Sequence, residues 1–103
     1  MTPGSGNVFA DLGLPRPEEE LTKAQLASAI RQTIRTRRLT QSAGARAMGV
    51  DRPKVSALFN GRLGNFSSER LLKMLTRLGL DVEIRLTPRC RERVGQIRVI
   101  RVA

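Results

Sequence analysis

LTQSAGARAMGVDRPKVSALFNGR, Leu39 to Arg62, sets small, glycine and branched residues at the spacings that two short helices crossing over a tight turn require. Counting from Gln41 as the first position, Ala45 falls at five, Gly49 at nine, Val50 at ten, Val55 at fifteen and Leu58 at eighteen. Helices that meet near a right angle over a turn of about three or four residues leave little room at the crossing, so the fifth residue must be small. Ala45 satisfies this. The chain must leave the first helix through positive φ, which glycine reaches without a Cβ clash, and Gly49 stands there. Val50, Val55 and Leu58 pin the second helix to a core. Asp51 is placed to cap that helix with its carboxylate, and Pro53 falls in the first turn, where no intrahelical N–H bond is needed. The predicted helices are residues 41–48 and 52–59, with Thr40 as N-cap of the first.

Outward from this stretch, Leu21, Ala24, Ala27, Ile30 and Ile34 recur at three- and four-residue steps and predict a helix over residues 18–37 with those five on its buried face. Glu18, Glu19 and Glu20 suit its positive end, and Arg35, Arg37 and Arg38 its negative end. On the other side, Ser67 can cap a further helix that turns Leu71, Leu72, Leu75 and Leu78 inward and stops at Gly79. Residues 81–86 then alternate polar and apolar, and residues 95–102 are rich in β-branched side chains, so two strands are expected. They could pair as a hairpin within one chain, or Val82 to Leu86 could pair with its copy in a second chain. Residues 1–17 carry the breakers of a flexible arm, yet contain an apolar island of Val8, Phe9, Leu12 and Leu14 that either folds back on the domain or docks on a protein partner.

The 103 residues suffice for one small domain. The formal charge of +10 is uneven: residues 31–77 hold eleven basic side chains against Asp51 and Glu69 alone. Such a field favours a polyanion, nucleic acid first, through release of condensed counterions. A single cysteine, Cys90, and no histidine leave neither an internal disulfide nor a plausible zinc set. No cofactor is expected, and no nucleophile–base pair suggests an enzyme. No apolar run is long enough to span a bilayer, and the N-terminus lacks a leader pattern, so the expected setting is the cytoplasm, at the nucleoid, without a membrane partner.

The motif residues resemble the lambda-repressor-like, or Xre, family of helix-turn-helix domains, in which a run such as ALFNG, Ala57 to Gly61, often closes the reading helix. The resemblance is closest to HigA-like antitoxins, whose chains often begin with something like NVFADLGLP, Asn7 to Pro15, and end with LLKMLTRLGLDVEI, Leu71 to Ile84. Two residues depart from the pattern: Gly44 lies inside a helix, at a cost of about 1 kcal/mol against alanine, and Ala47 stands where a larger apolar residue is usual. The implied fold is mainly α, a lambda-repressor-like helix-turn-helix bundle of four to five helices with one or two C-terminal β-strands. Residues 1–17 form its arm, 18–80 the DNA-binding domain, and 81–103 the strands and a basic tail that serves dimerisation.

A reading helix in the major groove turns its N-terminal end and outward face to base edges, which here means Arg52, Lys54 and Ser56. Arg52 leads, because a guanidinium can donate two hydrogen bonds to O6 and N7 of one guanine; a solvated helix-end charge is the plain alternative. Phosphate contacts fall to Gln41, at a helix start, and to Asn60 and Arg62, positions that commonly clamp the backbone in the resembling family. One reading helix covers few base pairs, so a homodimer on double-stranded DNA is expected, with an inverted-repeat operator and half-sites about 34 Å apart. The resemblance implies a sequence-specific transcriptional repressor that autoregulates its operon and neutralises a RelE- or HigB-like toxin. A free-standing or phage-type Xre regulator, and an RNA-binding or protein-interaction module, are the other readings. The tail from Arg85, with six arginines and one glutamate, could touch nucleic acid or protect an exposed strand edge.

Overall fold

The computed structural model describes residues 17–88 and 94–102, and within them four helices follow one another. They are α1 (Pro17–Thr36), α2 (Gln41–Met48), α3 (Arg52–Phe59) and α4 (Ser68–Arg77). Their starts follow from side chains that accept orphan amides. Thr40 Oγ1 accepts from Ala43 N at 3.0 Å, and Ser67 Oγ accepts from Arg70 N at 3.1 Å.

Every one of the four ends in the same way. The amide two residues beyond the last carbonyl-bonded turn reaches back five residues: Leu39 N to Ile34 O, Val50 N to Ala45 O, Arg62 N to Ala57 O and Leu80 N to Leu75 O, at 2.9 to 3.2 Å. The residue before each of these lies at positive φ: Arg38 at 55°, Gly49 at 70°, Gly61 at 73° and Gly79 at 90°. This is the Schellman closure, which satisfies terminal carbonyls and reverses the chain in a few residues. At three of the ends the residue after the positive-φ position, Leu39, Val50 or Leu80, is apolar and packs on the core. At the fourth, the end of α3, it is the exposed Arg62.

α1 packs chiefly along α4, α2 crosses α3, and the shared core holds Ile30, Ile34, Met48, Val55, Leu58, Leu71 and Met74, all nearly free of solvent. Each such aliphatic side chain contributes about 1.5–3 kcal/mol by leaving water. Gly44 belongs here as well: a Cβ at that position would stand 3.1 Å from Cδ1 of Ile34, so glycine lets α2 approach α1.

Two expectations are corrected. In α1 the buried stripe is not the one begun by Leu21 and Ala24. Leu21 is 56% exposed and Ala24 lies in solvent, whereas Thr22, Lys23, Leu26, Ala29 and Thr33 join Ala27, Ile30 and Ile34 inside. The threonines enter because their hydroxyls donate to the preceding turn, Thr22 to Glu18 O at 3.0 Å and Thr33 to Ala29 O at 2.8 Å. Lys23 enters with Glu20 at 3.4 Å. On α4, Met74 is buried while Leu72 is only partly so.

Beyond Gly79, residues 81–88 and 94–102 show no strand pairing among the described residues. A strand exists through its ladder, and within this chain neither segment has one there. The island of Val8, Phe9, Leu12 and Leu14, and Cys90, lie outside the described residues.

Candidate nucleic-acid interface

α2 and α3 build the expected crossing. Gly49, with φ 70° and ψ 32°, turns the chain out of α2, and Val50 and Asp51 carry it into α3. Ala45 is buried at the crossing, and Val55 and Leu58 are fully enclosed, which fixes the roll of α3 about its axis. Truncating either would empty core volume at about 2–5 kcal/mol for leucine, so such variants would lose binding by unfolding.

With that face locked, the opposite one is set as well. Arg52 opens α3 and is exposed, and Lys54, two residues or about half a turn on, is half-buried. Pro53 lies in the first turn, as its missing N–H allows. Asp51 occupies the N-cap with extended backbone, φ −75° and ψ 150°, but its carboxylate makes no capping bond; that expectation is corrected. The amide of Lys54 is taken by the Asp51 carbonyl at 3.0 Å instead.

Ser56 is half-buried, and its hydroxyl accepts a 3.5 Å bond from the Asn60 side-chain amide. Ser56 and Asn60 therefore stand one above the other on one flank of α3, a residue expected at base edges linked to one expected at phosphates. Asn60 caps the helix, and the Schellman closure then holds Arg62 beside it. Gln41 begins α2, where the first amides point out of the helix end. None of the ion pairs among the described residues involves Arg52, Lys54 or Arg62.

Arg31 and Arg35 on α1, and Arg37 just after its end, have a role the sequence did not disclose. Arg31 Nη1 donates to the Leu58 carbonyl at 2.8 Å, and the Arg35 guanidinium lies 5.3 Å from the centroid of the Phe59 ring, within cation–π range. Both hold the C-terminal end of α3. Arg37 does the same for α4 by donating to the Leu78 carbonyl. Charge counting assigns these cations to a field for polyanions, but their heads serve carbonyls and a ring. Their place at the rim of the Ile30–Ile34 stripe was the available signal, since arginine stems there run along apolar surface.

Among the described residues no group of three or more metal-ligating side chains gathers, and no described helix is long and apolar enough to cross a membrane. No curated protein matches the chain. A family model for a helix-turn-helix domain matches residues 8–87. A solved structure described as "Putative XRE Family Transcriptional Regulator" superposes with a TM-score of 0.80 at 43% identity, covering 85% of this chain and 100% of its own. With α2, the Gly49 turn and α3 in the arrangement above, the chain belongs to the XRE-like helix-turn-helix family.

Proposed function

We propose that this protein is a sequence-specific DNA-binding transcriptional repressor that acts as a homodimer on an inverted repeat. The observation that carries the reading is the division of α3 into two faces. Val55 and Leu58 anchor one in the core, and the rest of the helix surface leaves Arg52 exposed and Lys54 and Ser56 half-buried on its flanks, with no ion pair among the described residues engaging the two cations. Arg52 and Lys54 read bases in the major groove, and Ser56 contributes once Asn60 turns to the backbone. Gln41, Asn60 and Arg62 grip phosphates. Arg62 supports this best, because it fills with a free cation the place that carries a core-packed apolar residue at the three other helix ends.

The dimer finds support in the segments after Gly79, where Ile84, Leu86 and Ile100 are 73%, 92% and 74% exposed. Alternating apolar side chains without a partner strand are an edge prepared for addition of another. The finer reading is an antitoxin that autoregulates its operon and neutralises a RelE- or HigB-like toxin. It is supported by the likeness of Asn7 to Pro15 and Leu71 to Ile84 to HigA-like chains. Binding, not catalysis, is the activity.

In vitro selection of duplex DNA from a random pool at near-physiological salt tests the reading. Enrichment of an inverted repeat with half-sites about one turn apart is the expected result; an unenriched bound fraction would overturn specific recognition. The antitoxin part is tested by purifying the protein with the product of the adjacent reading frame. Co-purification of a ribonuclease that the protein silences is expected, and absence of any such product leaves a solitary regulator.

A further inference from the structure

A second concentration of positive charge lies beside α3, and apart from Lys54 its members have no role in the proposed reading of DNA. Arg70, Lys73 and Arg77 follow one another along α4 at three- and four-residue steps, hence on one helical face, and all are exposed. Facing them are Lys54 and the turn between α2 and α3. Between the two walls runs an open groove of about 260 Å³. Its floor includes the turn backbone, for a Cβ on Gly49 would come within 2.6 Å of Nη1 of Arg77.

Among the described residues one carboxylate lines this groove, that of Asp51. It makes no capping bond and no ion pair among the described residues. Lys73 does pair, with Glu69 at 3.7 Å, but both side chains are exposed and such a pair is weak enough to yield to a better anion. Four cations therefore converge on a cleft with a single opposing charge. Like charges gathered this way repel, and an anion entering the cleft relieves the repulsion while gaining guanidinium forks that match its oxygens.

We propose that this groove is a phosphate site, in which Lys54, Arg70, Lys73 and Arg77 hold the oxyanion and Asp51, at its edge, is the one opposing charge. The phosphate comes from the duplex backbone flanking the bases that α3 reads, or from a free phosphorylated molecule. Lys54 stands both on α3 and in the groove, which favours the duplex; that source rests on the DNA-binding reading above.

Two measurements on the full chain separate the sources. The first compares the salt dependence of duplex binding for the wild type and R70Q/K73Q/R77Q. Each lost phosphate contact lowers the slope of log K against log salt by about 0.9, so a fall of about two to three with unchanged sequence preference assigns the groove to the backbone. The second titrates tripolyphosphate without DNA and follows backbone amide shifts of Gly49 and of residues 70–77 by NMR. Saturable shifts in the wild type that vanish in the variant, beside an unaltered salt slope, assign it to a free ligand. D51N, which keeps a good N-cap residue, tightens whichever anion binds, severalfold. An unchanged slope together with unsaturable shifts overturns the proposal. Circular dichroism confirms folding, with R70Q and K73Q singly as milder variants. Should the wild type bind no duplex at all, the DNA reading fails and the tripolyphosphate titration still decides the groove.

Discussion

Arg31 and Leu58, twenty-seven residues apart, are joined by a 2.8 Å hydrogen bond from the guanidinium of one to the backbone carbonyl of the other. The bond ties the C-terminal half of α1 to the last turn of α3, adding a charged donor to a carbonyl that also accepts from Gly61 N at 3.3 Å. Arg31→Met keeps the apolar stem and removes the donor. Its expected cost is about 1.5–3 kcal/mol in urea unfolding, the range for hydrogen bonds to charged groups. Hydrogen exchange at Asn60 to Arg62 should quicken more than exchange in α2. Equal quickening everywhere would mean that the bond stabilises the bundle without aiming α3.

Gly44→Ala separates propensity from packing. Helix propensity alone predicts a gain of about 1 kcal/mol, but the new Cβ meets Cδ1 of Ile34 at 3.1 Å, and Ile34 is itself enclosed by the core. We expect a net loss of about 1 kcal/mol, since an overpacked core forces side chains off their rotamers. In an Ile34→Val background, which lacks the obstructing methyl, the same substitution should be neutral or stabilising. A double-mutant cycle by thermal melting reads the difference.

Arg38 is the odd member among the four closures, an arginine at φ 55° where the others have glycine. A left-handed conformation costs a residue with a Cβ about 1–2 kcal/mol, and glycine returns part of that through its greater freedom when unfolded. Arg38→Gly should therefore stabilise by about 0.5–1 kcal/mol, a rise of a few degrees in Tm for a domain of this size. An unchanged or lower melting point would indicate that the Arg38 head makes a compensating contact.

Arg52 and Arg62 should differ in what their loss does to DNA binding. Arg52→Ala relaxes preference at one base position by about 1–3 kcal/mol and leaves other positions alone. Arg62→Ala weakens all sequences alike and lowers the salt slope by about 0.9. Selection on a partly randomised operator, repeated at several salt concentrations, distinguishes them; reversed outcomes would exchange their roles.

The bounds of α2 and α3 could be read directly, because Thr40, Gly49 and Pro53 are local signals whose steric meaning does not depend on distant contacts. Ser67 and Gly79 delimit α4 for the same reason. The phase of α1 could not. Ala27, Ile30 and Ile34 fit two neighbouring stripes, and only contact with α4 selects the one containing Leu26 over the one containing Leu21. That choice buries two threonines whose hydroxyls have local carbonyls, which a hydropathy pattern counts as exposed. At the interface, the positions of Arg52, Lys54 and Arg62 follow from the motif. Asp51 followed only in part: its backbone occupies the cap, and its carboxylate does not bond there. The service of Arg31, Arg35 and Arg37 to other helices arises from long-range proximity; spacing marks their place at the rim of the apolar stripe and does not name their partners.

The four identical helix closures have a mechanical consequence. Each of the four described helices is left through a backbone bond that reaches back five residues, so tilting α3 relative to its neighbours would strain or break such a bond. Its aim is adjustable only by moving the whole head. In an assembly of two copies, the distance and angle between heads would then be written in residues 81–102, and swapping that tail should change the spacer of an operator while leaving each half-site as it was.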